Sequence, residues 1–330
     1  MRWPATAEIT DVTARDGLQS AARVYPVETR LRVIELLRNA GVRDFEVGSF
    51  VRRDRVPQLA GTDAVLRELP RDDGCVYRVL VPNVKGAELA LAAGARHLVG
   101  MSTASDGYSL RNQGMTADEC VEQLVRMTGL AAEAGASMTV GIGMAMFCPF
   151  DGPTPPSRVL ATIDRLSAAG VHEFTLGASV GVETPYEVAW LCETVRAAFP
   201  AVELCLHLHN LNGMALANVV AALDAGVRRF ESVACGIGGG IVMPAGLRGH
   251  GNVATEDLVS LLAAGGVRTG IDPAAMIAAA RAVKALLELD RGHGFASEGP
   301  TREEILQLSA APDGIKPVRE PPVAPARPLR

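Results

Sequence analysis

The stretch Val202-Glu203-Leu204-Cys205-Leu206-His207-Leu208-His209-Asn210 joins a mostly apolar run to two closely spaced histidines. The run has the composition of a buried strand, and side chains on a strand alternate between its two faces. His207 and His209 therefore share one face, about 6–7 Å apart along the strand. At that spacing two imidazoles can bind one metal ion at about 2.1 Å per bond, or they can simply hydrogen-bond at the end of the strand.

Similar apolar runs with strand character recur at fairly even intervals along the whole chain. Segments with helical periodicity lie between them, and several of these segments end on an Ala-Gly pair, which is a common signal of a helix C-terminus. The predicted strands are residues 8–13, 44–50, 76–82, 97–102, 137–144, 173–178, 203–209 and 229–234. The main predicted helices are residues 27–40, 116–134, 156–169, 184–198, 215–225, 255–264 and 273–289.

This alternation predicts an α/β fold, because about eight βα units in about 250 residues match a closed (β/α)8 TIM barrel. An open doubly wound sheet is the alternative. It would need a Gly-x-Gly-x-x-Gly turn after the first strand, and Thr13-Ala14-Arg15-Asp16-Gly17 has none. We expect the barrel and a C-terminal helix in residues 1–290, followed by an extension and a Pro-rich, flexible tail in residues 291–330.

Composition excludes several classes of partner. The 330 residues are 48% hydrophobic and 21% charged, with a net charge of −5 and a pI of about 5.8, so no basic surface indicates nucleic acid. No apolar stretch approaches the roughly 18 residues of a membrane span, and the N-terminus lacks a secretory signal. Six cysteines without paired spacing are typical of free thiols in a reducing compartment, so we expect a cytoplasmic protein.

Active groups of such a barrel lie at the C-terminal ends of the strands. A carboxylate, two imidazoles and an amide oxygen form a mixed ligand set there that suits Mg²⁺ or Mn²⁺, with Zn²⁺ or Co²⁺ as alternatives. Arg15, next to Asp16, could stabilise an oxyanion or could only brace a loop. The residues at these ends are Arg15, Asp16, Glu46, Ser49, Asn83, His207 and His209, with Asn252 after a glycine-rich segment.

Several of these segments resemble the motifs of hydroxymethylglutaryl-CoA lyase and its metal-dependent lyase/synthase superfamily, the DRE-TIM metallolyases. The resemblance extends in order from about residue 8 to residue 272. The matching segments are Ile9-Thr10-Asp11-Val12-Thr13-Ala14-Arg15-Asp16-Gly17-Leu18-Gln19, Phe45-Glu46-Val47-Gly48-Ser49-Phe50-Val51, Val81-Pro82-Asn83-Val84-Lys85-Gly86, residues 105–112, Cys148-Pro149-Phe150 and Gly251-Asn252-Val253-Ala254-Thr255-Glu256-Asp257-Leu258.

The resemblance implies a carbon–carbon lyase that cleaves a 3-hydroxy acid or a 3-hydroxyacyl-CoA. It implies that Asp16, His207, His209 and Asn252 bind the divalent cation, that Arg15 polarises the developing enolate and that Glu46 supports the site. It also implies a small-molecule acyl-CoA or hydroxy-acid substrate and a homodimer. Within the matching motifs we predict substrate contacts at Gln19, Ser49, Asn83, Ser105 and Asn112.

Three departures from the family pattern bear on the substrate. The lyase has a catalytic cysteine directly after Gly-Leu-Gly-Gly, whereas here Gly236-Ile237-Gly238-Gly239 is followed by Gly240 in a longer loop. Cys235 precedes the motif, and we therefore predict that His250 or Arg248 reaches in from the loop. The family's acidic residue at the end of the sixth strand is Ala178. His-x-His-Asp becomes His207-Leu208-His209-Asn210.

These departures leave other functions open. A condensing enzyme that joins an acyl-CoA to a 2-oxo acid is favoured by Asn210 and by the missing loop cysteine. A barrel that binds a metal–ligand complex without turnover is suggested by Ala178 and Gly240. The glycine-rich segment could be a mobile loop over the barrel mouth or only a solvated connector.

Overall fold

The eight predicted strands form a closed parallel barrel in a computed structural model that describes residues 3–244, 247 and 251–308. The barrel strands are β1 (Glu8–Asp11), β2 (Asp44–Ser49), β3 (Val76–Leu80), β4 (His97–Thr103), β5 (Ser137–Gly143), β8 (Glu173–Ala178), β9 (Glu203–Leu208) and β10 (Arg229–Ser232). Neighbours around the barrel follow the order β1-β10-β9-β8-β5-β4-β3-β2. A small antiparallel hairpin, β6 (Phe147–Cys148) and β7 (Gly152–Pro153), follows β5. The (β/α)8 TIM-barrel prediction is confirmed.

Helices connect the strands and cover the barrel. Two of them, α5 (Ala117–Glu133) and α7 (Pro185–Ala198), begin with a capping box in which Thr116 pairs with Glu119 and Thr184 with Glu187. The helices are α1 (Val27–Asn39), α2 (Thr62–Glu68), α3 (Val84–Ala92), α4 (Asp106–Asn112), α5 (Ala117–Glu133), α6 (Pro156–Ala168), α7 (Pro185–Ala198), α8 (Ala215–Asp224), α9 (Thr255–Ala264), α10 (Pro273–Leu286), α11 (Phe295–Glu298) and α12 (Arg302–Leu308).

The seven predicted helices are present within a few residues of their expected bounds, as α1 and α5 to α10. The sequence did not predict α2, α3 and α4. These helices have 7, 9 and 7 residues, and so short a segment shows little periodicity. The predicted C-terminal helix is present as α10, which packs against α1 and α9. The hydroxyl of Tyr25 donates to the carbonyl of Leu287 at 2.8 Å and ties the start of α1 to the end of α10.

Charged side chains close the N-terminal end of the barrel. The Arg78 guanidinium on β3 donates to Asp44 on β2 at 2.7 and 2.8 Å, and to Glu173 on β8 at 2.8 Å. Arg229 on β10 lies 3.1 Å from the same Glu173. Because these ion pairs join strands from around the barrel, they fix its floor and leave the opposite, C-terminal end for the functional site.

The chain divides into two compact units, residues 1–298 and residues 299–330. The first contains the barrel and the helices up to α11. Of the second, the structure describes residues 299–308, which include α12, and the predicted Pro-rich tail lies outside the described residues. The boundary expected after residue 290 stays a prediction.

None of the helices in the described part of the chain has the combined length and apolar character that crossing a membrane requires.

Candidate active site

The turn after β1 carries the first two site residues. Thr13–Gly17 forms a short π-helical turn, which is entirely buried. The Asp11 carboxylate accepts from the Thr13 amide at 2.9 Å, and the Thr13 hydroxyl oxygen accepts from the Ala234 amide at 2.8 Å. These bonds fix the turn against β10, so Arg15 and Asp16 are held at the C-terminal end of the barrel.

Three predicted ligands converge at that end. One donor atom from each of Asp16, His207 and His209 lies within 4.8 Å of the others. The two Nε2 atoms are 3.1 Å apart, and Nε2 of His209 is 4.0 Å from Oδ2 of Asp16. Two imidazole nitrogens and a carboxylate oxygen, facing one another in a buried place, are donors that fit a divalent cation.

Asn252 lies beside this group. A β-bridge joins His209 to Asn252, and the Asn252 amide donates to Oδ2 of Asp16 at 2.7 Å and to the carbonyl of Ile237 at 3.0 Å. The structure thus brings all four predicted ligands together. Coordination by the Asn252 oxygen stays a prediction.

Arg15 is clamped between two buried carboxylates. Nη1 lies 2.6 Å from Asp16 Oδ1, and Nη2 lies 2.6 Å from Glu46 Oε2. Burial alone would lower the pKa of the guanidinium, but Glu46 and Asp16 outweigh it and hold that pKa above its ordinary value. Nε of Arg15 and Oε1 of Glu46 have no hydrogen-bond partner within the described residues. The Arg15 guanidinium is thus fixed in place by a carboxylate on each side.

Glu231 on β10 is a site residue that the sequence analysis missed. Its Oε2 lies 2.8 Å from Nδ1 of His207, and its Oε1 accepts from the Thr175 hydroxyl at 3.0 Å. An imidazole that donates through Nδ1 presents Nε2 as a free ligand nitrogen, and such carboxylate partners orient metal-binding histidines. The signal in the sequence was the one acidic residue of the predicted strand 229–234, whose ladder partner is His207.

The charges of the site set its protonation. Burial would raise the pKa of the Asp16 carboxyl, but Arg15, His207 and His209 hold it far below its ordinary range. Burial, with the nearby charge of His207, lowers the pKa of His209 to about 4. For His207 burial also acts downward, yet the bond to Glu231 raises the pKa above its ordinary value. At neutral pH Asp16 is charged and His209 is neutral, which are the forms that bind metal.

A cavity of about 650 Å³ opens beside these residues. Its strand-borne lining falls into two contiguous parts of the barrel. The polar arc comprises His207 on β9, His209 just after it, Glu231 on β10, Arg15 and Asp16 just after β1, and Ser49 on β2. The uncharged arc comprises those on β3, β4, β5 and β8, namely Leu80, Val99, Met101, Thr103, Gly141, Ile142, Gly143, Thr175 and Gly177.

Four of the five predicted substrate contacts line the cavity: Gln19, Ser49, Asn83 and Asn112. Ser105 is not among the lining residues. Its hydroxyl donates to Asp151 at 2.7 Å and accepts from the Tyr108 amide. Ser105 therefore caps the N-terminus of α4. Substrate contact by these five residues stays a prediction, as does the role of Glu46, which is buried behind Arg15. His250 and Arg248 lie outside the described residues.

The three departures have local structural accounts. The Cys235 thiol is buried and donates to the carbonyl of Ala280 at 3.1 Å, outside the cavity lining. Ala178 is fully buried in the hydrophobic core, so its neighbours Gly177 and Ser179 line the cavity instead. The side-chain oxygen of Asn210 accepts from the Ala215 amide at 3.1 Å, where α8 begins.

Comparison with known proteins agrees with this architecture. The model of the HMGL-like family matches residues 6–283. The chain is 38% identical to the (R)-citramalyl-CoA lyase of Chloroflexus aurantiacus over 311 residues, covering 91% of this chain and 97% of that protein. It is 39% identical to the hydroxymethylglutaryl-CoA lyase of Pseudomonas mevalonii over 265 residues, covering 80% and 87%.

A solved structure is also similar to this chain over nearly its whole length. It is an HMG-CoA lyase from Acinetobacter baumannii in complex with coenzyme A and 3-methylmalate, with a TM-score of 0.86 and 27% identity. The match covers 96% of this chain and 98% of that one.

Proposed function

The chain belongs to the HMGL-like family, and from this premise we propose that it is a divalent-metal-dependent carbon–carbon lyase of 3-hydroxyacyl-CoA thioesters. The reaction is a retro-aldol or retro-Claisen cleavage, which gives a carbonyl compound and an enolate that is then protonated. The observation that carries the proposal is the convergence of Asp16, His207 and His209 beside the clamped Arg15.

Asp16, His207 and His209 would hold the cation, with Asn252 as the fourth ligand. The mixed oxygen and nitrogen set favours Mg²⁺ or Mn²⁺ over softer ions, with Zn²⁺ or Co²⁺ as alternatives. When bound, the cation supplies Lewis acidity, which lowers the pKa of a substrate hydroxyl and polarises a carbonyl. Glu231 keeps His207 in the tautomer that leaves Nε2 available.

Arg15 stabilises the negative charge that develops when the carbon–carbon bond breaks. Its guanidinium is buried, lines the cavity and is held on two sides by Asp16 and Glu46. A donor fixed before the reaction needs no reorganisation as the charge forms, and burial strengthens its effect. Glu46 acts through Arg15 rather than on the substrate, because it is buried and does not line the cavity.

The cavity suits a thioester substrate. Arg52, Arg55 and Arg111 line it from outside the barrel strands, where they can receive the phosphates of a coenzyme. The names of the relatives point the same way, since the Chloroflexus and Pseudomonas proteins are lyases of citramalyl-CoA and hydroxymethylglutaryl-CoA. The Acinetobacter lyase was solved in complex with coenzyme A.

We place the enzyme in the cytoplasm, with small molecules as its substrates. All six cysteines are free, which suits a reducing compartment. A homodimer, which the family resemblance implies, is part of the proposal without an interface assigned to it.

Condensation onto a 2-oxo acid is the weaker candidate. One of its two supports was Asn210, and the bond from Ala215 gives that side chain a local role at the start of α8. The two directions are separable by experiment: a condensing enzyme releases free thiol from an acyl-CoA only when a 2-oxo acid is supplied.

The test is turnover of a panel of 3-hydroxyacyl-CoA thioesters and free 3-hydroxy acids by the purified protein, with Mg²⁺ or Mn²⁺, followed by mass spectrometry of the products. We expect metal-dependent cleavage of at least one thioester, lost in Asp16→Ala and kept in Asp164→Ala, an exposed aspartate on α6. No cleavage of any panel member would refute the proposal. Cleavage that survives Asp16→Ala would refute the assigned site.

A further inference from the structure

Three glycines occupy neighbouring positions in the uncharged arc. Gly141 and Gly143 lie two residues apart on β5 and therefore face the same way, and Gly177 lies on the adjacent strand β8. All three line the cavity, and we call them the glycine wall. Glycine weakens the interior of a strand, and where it occurs it often marks a place at which a ligand approaches the backbone closely.

The surroundings do not require glycine at positions 141 and 143, whereas a Cβ atom on Gly177 would lie 2.9 Å from Oγ of Ser179 and 3.3 Å from Cα of Gly143. None of the three has a positive φ. A Cβ atom on Gly143 would lie 3.5 Å from Cγ2 of Thr103 and 3.6 Å from Oγ of Ser179, which is ordinary van der Waals contact. On Gly141 the neighbour would be the flexible end of Met101, at 3.0 Å. What glycine provides at positions 141 and 143 is room in the cavity.

This room is next to the reacting centre. Gly177 is the ladder partner of His207, so the wall begins about 4.8 Å from the strand that carries the paired histidines. A substrate whose hydroxyl is held at Asp16, His207 and His209 has its carbinol carbon beside the wall. Arg15 lines the same cavity, where its guanidinium is paired with Asp16 and Glu46.

The wall favours an uncharged group. The uncharged arc contains no ionisable side chain, and Leu80, Val99 and Met101 continue the apolar surface beside the glycines. Among the described residues that line the cavity, the other cations are Arg52, Arg55 and Arg111, which lie outside the strands. A carboxylate against the glycine wall would lose its hydration without gaining a charged partner.

We propose that the glycine wall receives an alkyl or alkenyl substituent, larger than methyl, on the carbinol carbon of the 3-hydroxyacyl-CoA substrate. The inference rests on the proposed function, which places the carbinol carbon at the metal ligands. It adds that Gly141, Gly143 and Gly177 determine which substituent is accepted.

The experiment uses thioesters that are identical except for hydrogen, methyl, butyl or hexenyl on the carbinol carbon. One methylene in an apolar pocket changes kcat/KM by roughly 10- to 200-fold, so we expect the best larger substrate to exceed the methyl compound by at least about tenfold. In Gly143→Ala, and more strongly in Gly143→Val, the ratio of larger to methyl substrate falls by at least about tenfold. The matched control is Gly129→Ala on α5, where a Cβ atom meets nothing within 4 Å and the ratio stays at its wild-type value.

A second measurement separates this inference from the proposed function. Calorimetry of the Mn²⁺-loaded protein gives the affinity for the matching free 3-hydroxy acids in wild type, Gly143→Ala and Gly129→Ala. Cleavage without a preference for the larger groups, or a ratio that Gly143→Ala does not change, overturns the glycine wall and leaves the lyase intact. If nothing is cleaved, the proposed function fails. The affinities then test the glycine wall: tighter binding of the larger acids that Gly143→Ala weakens supports it, and the absence of that preference overturns it.

Discussion

The polar arc and the uncharged arc face each other across one cavity and differ in how they are stabilised. Every described ionisable side chain of the polar arc has a charged or hydrogen-bonding neighbour, such as Arg15 with Asp16 and Glu46. The uncharged arc contains no ion pair. Its shape is set by the volumes of Leu80, Val99 and Met101 and by the glycines of the glycine wall.

The two kinds of surface respond differently to substitution. Removing one partner from a buried charged network leaves the others unpaired, which is costly. Changing volume on an apolar surface is tolerated over a wider range. Substitutions in the polar arc should therefore lower turnover of all substrates together, whereas substitutions in the uncharged arc should change the ranking of substrates.

The largest effect is expected from loss of a metal ligand in the polar arc. In His207→Ala we expect loss of bound Mn²⁺ and a fall of at least about 10³-fold in kcat for all substrates, more than removal of one oxyanion donor causes. The apo protein should still fold, because the residue lies at the barrel mouth. Elemental analysis and turnover check this against His172→Ala, an exposed histidine. A variant with stoichiometric Mn²⁺ would show that other side chains hold the cation.

The next effect concerns Glu256 on α9, whose carboxylate accepts from the Cys235 amide in the turn after β10. Burial raises the pKa of Glu256 to about 7, against the hydrogen bonds from Ser297 and the Cys235 amide. The folded protein then keeps a proton that the unfolded chain releases near pH 4.5. Its stability should fall as pH rises from 4.5 to 7, by on the order of 3 kcal/mol in the free energy of unfolding.

Glu256→Gln removes this titration. Chemical denaturation of wild type and variant at several pH values should show the difference in the free energy of unfolding shifting toward the variant as pH rises through that window. Gly143→Ala, from the uncharged arc, should follow the wild-type pH curve. Parallel curves for wild type and Glu256→Gln would mean that the proton is not held in the folded state.

A smaller effect is expected at Glu231, which reaches the cation only through His207. Loss of such an outer partner typically lowers metal affinity by about 10- to 100-fold, and we expect this for Glu231→Ala. Glu231→Gln keeps a carbonyl oxygen that can accept from Nδ1, so it should recover part of the affinity. Titration with Mn²⁺ measures both. Equal affinity in wild type and Glu231→Ala would reduce Glu231 to a packing residue.

The sequence predicted the fold well because the strands recur at fairly even intervals, most of them as apolar runs, and several helices end on an Ala-Gly pair. It also brought Asp16, His207, His209 and Asn252 to one end of the barrel, since the ends of parallel strands meet there. Glu231 was missed because its partner depends on the register between β9 and β10, which pairs it with His207. Register is a tertiary property that no local pattern in this strand encodes.

The arcs could not be predicted either. Strands of a parallel barrel are buried on both faces, so a run such as Ser137–Gly143 does not reveal which face is inside. Polar residues that bind amides in the first turn of a helix look like site residues in the sequence, as Ser105 and Asn210 show. The sequence thus located the predicted metal ligands, while the shape of the pocket required the structure.

The smallest effect is expected from a volume-conserving change in the uncharged arc. Met101 lines the cavity next to Gly141, and Met101→Leu keeps the volume but replaces a flexible side chain with a stiffer one. Mn²⁺ affinity should stay at its wild-type value, because Met101 is on β4, whereas the predicted metal ligands His207 and Asp16 are on β9 and in the turn after β1. The kcat/KM for the longest substituent should fall by less than about tenfold, and for the methyl substrate by less still. If Met101→Leu instead lowered Mn²⁺ affinity as much as Glu231→Ala does, the two arcs would not act separately, and substrate choice and metal binding would have to be treated as one property of the cavity.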